Sequence, residues 1–182
     1  MSKVVTGKSE LVQFSYCNLF KSRAFSDDQK AKYSMCVLVP KQYKKTLKKL
    51  QAGIDDAIRD GQEKFHWSDK QIKALRLPVR DGDEEKADEH PEYAGMYFFN
   101  ASSDTKPDVV DADLVEVIDS DEVYSGCWGR VSVTFYPYDN HGNRGVGAGL
   151  NNVQKIKDGE RLGGARASAE SDFGGDDDDE EF

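Results

Sequence analysis

Trp128, Arg130, Tyr136 and Tyr138 fall at even spacing within one stretch, CWGRVSVTFYPY. In an extended chain, successive side chains point to opposite faces. Trp128, Arg130, Ser132, Thr134, Tyr136 and Tyr138 therefore share one face, and Cys127, Gly129, Val131, Val133 and Phe135 share the other. The second set reads as a core. The first puts aromatic rings and a guanidinium on a wet face. That suits unpaired bases, because rings stack on bases while cations meet phosphates. The same rings could instead cover a helix or a small second core.

A second set interleaves rings with cations: Tyr16, Phe20 and Tyr33 lie beside Lys21, Arg23 and Lys32. Arg144 adds a cation after the CWGR stretch. The charge of the whole chain is −9, but it is unevenly placed. Residues 1–50 hold 11 Lys and Arg against 3 Asp and Glu, whereas residues 51–125 hold 8 against 20. Residues 126–167 are basic again, and residues 168–182 hold 8 acidic residues and no basic one. Such asymmetry points to a polyanionic partner and an acidic tail.

Other chemistries find little support. Asp81, Asp83, Glu84, Glu85, Asp88 and Glu89 could surround a divalent ion but lack the spacing of an EF-hand. His66, His90 and His141 are far apart, and there is no GxGxxG, GxxxxGK[ST] or GxSxG. No catalytic residue, metal or cofactor is expected. Three cysteines without a CxxC argue against a disulfide scaffold or zinc ribbon and for a reducing cytoplasm. No apolar run approaches a membrane span, and MSKVVTGKSE has no apolar leader segment.

The elements that must position these residues follow from pattern. Leu11–Tyr16 reads as a strand, with Val4 and Val5 leading in, and Asn18–Arg23 as a basic connection. Ser26–Gln29 reads as a turn and Lys32–Val39 as a second strand that Pro40 ends. Tyr43, Leu47, Leu50, Ile54 and Ile58 form one helical stripe, with Gly61 as its stop and the lysines at 41–49 as a solvated face. Ser68 and Gln71 have capping-box spacing for a short helix before Pro78. Residues 80–92 read as an acidic loop and Met96–Ala101 as a strand. Its alternation puts either Tyr97 and Phe99 or Met96 and Phe98 outward or under a loop. Leu114–Ile118 is a further candidate strand, and Cys127–Tyr138 is the strongest. Asp139–Asn143 reads as a hairpin turn, with Val146–Leu150 as the return strand. The fold class is mainly β: a small barrel with one main amphipathic helix placed after the second strand. Residues 1–167 are expected to form the domain and residues 168–182 a disordered acidic tail.

The chain resembles a family of bacteriophage single-stranded DNA-binding proteins with an OB fold. The resemblance rests on Asn18-Leu19-Phe20, Lys32-Tyr33-Ser34, Arg80-Asp81-Gly82-Asp83, Tyr93-Ala94-Gly95, Tyr97 to Ala101 and Val123 to Cys127. It continues through Gly149 to Lys155, Asp158-Gly159-Glu160 and Leu162-Gly163-Gly164. It implies a non-catalytic barrel that coats single strands in phage replication, recombination or repair, inside the infected bacterial cell. The run Asp176, Asp177, Asp178, Asp179, Glu180, Glu181, Phe182 is similar to the acidic tails of such proteins. It implies an arm that competes for the groove and recruits replication or recombination proteins; a homodimer is left open.

The resulting reading is a single-stranded DNA-binding protein. Lys21, Arg23, Lys32, Arg130 and Arg144 meet phosphates, and Tyr16, Phe20, Tyr33, Trp128, Tyr136 and Tyr138 are the stacking candidates. Two rivals stand beside it: an acidic DNA mimic that titrates a host protein, and a metal-dependent nuclease using the carboxylates at 81–92.

Overall fold

The computed structural model describes residues 2–24 and 26–162. In chain order it contains β1 (Ser2–Val5), β2 (Val12–Arg23), β3 (Lys32–Pro40), α1 (Lys44–Phe65) and α2 (Asp69–Lys73). Then come β4 (Arg80–Asp81), α3 (Gly82–Glu85), β5 (Met96–Ser103), β6 (Asp108–Val110), β7 (Trp128–Asn140) and β8 (Asn143–Lys157). Among the described residues, no helix is long and apolar enough to cross a membrane.

Five strands close a ring. β2 pairs antiparallel with β3, β3 with β5, and β7 with both β8 and the start of β2. β5 meets β8 in parallel through one residue pair, Ser102 with Gly149. Around the ring the order is β2, β3, β5, β8, β7 and back to β2. This is the Greek-key barrel of an OB fold. α1 lies between the second and third strands of the ring, where the sequence places it. β1 adds to the free edge of β7, and β6 to β8.

Strand alternation fills the ring. Phe14, Leu19, Met35, Val37, Val39, Phe99, Val131, Val133 and Phe135 are all 0–1% exposed. Phe99 and Phe135 meet across the interior at 6.1 Å. α1 covers this core with Leu50, Ile54 and Ala57. The capping box at Ser68 and Gln71 forms in both directions.

The structure corrects five expectations. Asn18–Arg23 is the second half of β2, because the strand bulges after Ser15 and then resumes pairing with β3. α1 passes Gly61 and ends at His66, which takes the left-handed conformation at φ 55°. Leu114–Ile118 is a loop that pairs with β6 only through the Glu116–Val110 bridge and buries Val117 in the core, and the strand in that region is β6. The acidic loop holds β4, α3 and a 3₁₀ turn at Pro91–Tyr93. The return strand β8 is also three times longer than its apolar run, since both β7 and β6 supply partners to its polar half.

Candidate nucleic-acid interface

β3 turns Met35, Val37 and Val39 inward, so Ser34, Cys36 and Leu38 face out. β5 does the same with Phe98, Asn100 and Ser102. Register places Leu38 beside Phe98, Cys36 beside Asn100, and Ser34 beside Ser102. β2 continues this outer face, with Ser15 opposite Cys36 and Asn18 opposite Ser34. The segment after α3 folds over one side and brings Lys86, His90 and Tyr93 to the rim. The result is a groove of about 410 Å³. In an OB fold, the face of the second and third barrel strands, with the loops joining strands 1–2 and 4–5, is where oligonucleotides bind. Here those strands are β3 and β5.

The groove mixes rings, amides, hydroxyls and cations. Tyr93 stands edge-on to Phe98 at 5.1 Å, and its hydroxyl lies 3.5 Å from the Cys36 thiol. Burial pushes the Cys36 thiol up to about 11, so it stays neutral and unreactive at physiological pH. Asn18 donates to the Tyr16 carbonyl at 3.2 Å and to Ser34 Oγ at 3.4 Å. Tyr16 is 52% exposed and holds φ at 47°. Such a backbone costs an ordinary residue roughly 1–2 kcal/mol. The Tyr16 amide donates to Ser125 Oγ at 2.9 Å, which helps hold it there. Residues held in sparsely populated backbone conformations cluster at active sites, ligand clamps and switch regions.

The sequence-derived candidates fall in three places. Tyr16 and Arg23 line the groove. Lys32 pairs with Arg23 at the end of the β2–β3 hairpin, with Lys21 exposed nearby. Phe20 and Tyr33 lie outside the groove: Phe20 packs against the main core with Lys106 over its ring at 5.1 Å, and Tyr33 shares the face of Met35.

The second place is the outer face of β7, where the alternation read from sequence is observed. Trp128 pairs with Gln13 of β2, so its face continues that of Ser15. The chain at Gly159 lies against its indole nitrogen, where an added Cβ would come within 2.9 Å. Arg130 donates from Nε to the Thr6 carbonyl at 2.8 Å and from Nη1 to Gln154 Oε1 at 3.3 Å, tying the exit of β1 to β8. The phenol end of Tyr136 lies against Gly147, where a Cβ would meet it at 2.6 Å, and that of Tyr138 lies against Gly145 in the same way.

The third place is the β7–β8 hairpin, the loop between barrel strands 4 and 5. His141 and Gly142 form its two-residue turn, both at positive φ. Arg144 donates to Asp139 Oδ2 at 3.1 Å, an oxygen that also accepts from Trp67 Nε1 at 3.0 Å. With Lys70 and Arg76 it lines a polar hollow of about 510 Å³.

Sequence reasoning missed Asn18, Ser34, Lys86, His90, Tyr93, Phe98, Asn100 and Ser102 as groove residues. The signal was present in β5: Met96 and Phe98 do lie under a loop, and the same alternation carries on to Asn100 and Ser102. In the acidic segment, Lys41 sits 2.6 Å from Asp81 and 2.8 Å from Asp83. Its ammonium holds both carboxyls below the usual range. Among the described residues, no three Asp, Glu, His or Cys converge on a metal site. Asp176–Phe182 lie outside the described residues. Leu162, the last described residue, donates its amide to Ser125 and packs in the cluster of Cys36, Leu38, Tyr93 and Phe98.

Residues 2–182 match the family model described as the Enterobacter phage Enc34 ssDNA-binding protein. Putative protein p50 of Acyrthosiphon pisum secondary endosymbiont phage 1 is 32% identical over 170 residues, covering 87% of this chain and 88% of that protein. The single-stranded DNA-binding protein from bacteriophage Enc34, solved in complex with ssDNA, superposes with a TM-score of 0.70 at 26% identity, covering 88% of this chain and 89% of that one. The single-stranded DNA-binding protein gp2.5 of bacteriophage T7 has a TM-score of 0.59 at 13% identity, covering 92% and 98%, a likeness of fold alone.

Proposed function

The chain belongs to the family of the Enterobacter phage Enc34 ssDNA-binding protein, and from that premise we propose that it binds single-stranded DNA without catalysis. It coats and protects single strands in phage replication, recombination or repair, within the cytoplasm of the infected host. The observation that carries this reading is the groove on β3 and β5, where Tyr16, Tyr93 and Phe98 border a floor of Asn18, Ser34, Asn100 and Ser102. Arg23 and Lys86 line its ends, and Lys32 stands by. The exposed Tyr16 ring accepts a base face and the cations meet the backbone, while Tyr93 and Phe98, each 2% exposed, shape the wall beneath.

The acidic run at 168–182 competes for this groove and, when displaced, presents Phe182 and its acidic neighbours to replication or recombination proteins. Support comes from Leu162, which seats the chain on the groove wall just before that run. The test is a titration with single- and double-stranded oligonucleotides at two salt concentrations. Single strands should bind with little sequence preference over about 4–16 nucleotides. Log affinity should fall with log salt by roughly 0.7 per phosphate neutralised. Binding indifferent to salt, or a preference for duplex, defeats the reading.

A further inference from the structure

Between β6 and β7 lies a loop that the barrel does not explain. Residues 111–122 hold six Asp and Glu and no Lys or Arg. Among these acids Leu114, Val115 and Ile118 are 72%, 60% and 86% exposed. The loop is nonetheless well tied. Asp111 Oδ1 accepts from the amides of Asp113 at 2.9 Å and Val115 at 3.0 Å. The Asp111 amide donates to the Val115 carbonyl at 2.9 Å, and the Val117 amide to Val109 at 2.8 Å. Leu114 is held at φ 64°, a conformation that leucine avoids. An ordered loop with a strained leucine set in water is built to be covered.

A matching surface exists on the other side of the charge divide. α1, the chain at 77–79 and Tyr97 of β5 enclose an apolar groove of about 370 Å³, floored by Leu47, Ile54 and Val79. Leu77 in its wall is 46% exposed. Lys44 and Lys48 are exposed and share a helix face with Gln51, which lines the groove. The apolar floor, with Lys44 and Lys48 on the helix face that carries Gln51, complements an apolar loop edged with carboxylates.

Loop and groove stand on different elements. The loop hangs from β6 and β8, where Gln154 Nε2 donates to the Asp111 carbonyl at 3.2 Å. A contact between two different patches is heterologous and propagates from copy to copy. We propose that the 111–122 loop of one copy docks in the α1–β5 groove of a second copy, linking copies head to tail. On a single strand this contact makes coating cooperative, a consequence that rests on the proposed function.

The test is sedimentation velocity of the full chain without DNA, over a wide concentration range at low and high salt, so that a failure of the single-strand reading leaves the result standing. Species beyond a dimer should grow with concentration and shrink with salt. Leu114→Ser with Ile118→Ser should abolish this growth, as should Lys44→Glu with Lys48→Glu. All four positions are outside the core, and circular dichroism checks their folding. Mixed in equal amounts, the two variants should stop at a one-to-one heterodimer, since each keeps one intact half. In a second arm, affinity per site on a long strand should exceed that on a one-site strand by roughly tenfold or more. The loop variant should lose this gain while keeping its affinity for the short strand. A chain that stays monomeric at every concentration, or a mixture that forms no heterodimer, overturns the proposal, as do equal affinities per site.

Discussion

At the scale of single residues, Tyr16 combines a ring in solvent with a backbone that a glycine would hold more easily. Tyr16→Gly should therefore raise stability while lowering affinity. Relief of the positive φ is worth about 1 kcal/mol, or roughly 2–4 °C in melting temperature. Loss of one base stack costs about 1–3 kcal/mol of binding. Thermal melts and titrations with a short oligonucleotide read the two effects separately, and Tyr16→Ala should show the binding loss alone. An unchanged affinity in both would remove Tyr16 from the stacking set. Trp128→Ala should also weaken binding by about 1–3 kcal/mol. Trp67 is 3% exposed and stacked on Phe65 at 5.4 Å, so quenching on DNA addition should come from Trp128. The Tyr16 ring was legible in the sequence beside its cations. Its setting was not, because the bulge is pinned by a serine 109 residues away. Arg130 shows the converse: its charge was legible, but its partners Thr6 and Gln154 come from two other strands.

At the scale of elements, the stripe of α1 and the alternation of β7 were read directly from spacing, since both depend on local period. What local period cannot hold is the partner. Gly61 looked like a helix stop and is instead the place where the Trp67 ring and Pro137 lie against α1. Ala there adds about 1 kcal/mol of helix propensity but forces the Trp67 ring aside, at about 1–3 kcal/mol. Gly61→Ala should therefore destabilise, which denaturant unfolding will show; a stabilised variant would mean that Trp67 repacks freely. The acidic segment carries a pH dependence. The Lys41 ammonium holds the Asp81 and Asp83 carboxyls below the usual carboxylate range in the folded chain. Folded values below unfolded ones give stability that is full above about pH 5 and lost as pH falls through those depressed values. Lys41→Met should thus lower stability near neutrality and flatten its acid dependence between about pH 5 and 3, read by melts across that range.

At the scale of the whole molecule, charge and the small barrel were the most legible properties, and the strand pairing that closes the ring the least. Removing residues 168–182 takes the formal charge from −9 to −1. Truncation should tighten single-strand binding, most at low salt where screening is weakest. A tail lacking only Phe182 should keep the competition and lose much of the partner capture. Equal affinities of intact and truncated chains at low salt would confine the tail to other work. Ring closure depends on the pairing of β5 with β8, residues 47 apart, and neither strand announces it. That pairing is one bridge wide, Ser102 to Gly149, while β7 and β8 are laddered along their lengths. A ring so joined has a preferred place to part. Amides near 102 and 149 should exchange with deuterium well before those of the β2–β3 ladder. Ser102 is also groove lining. A nucleic acid laid across it would act as a clasp over the joint, slowing exchange there more than anywhere else, so that the empty barrel breathes and the loaded one is shut.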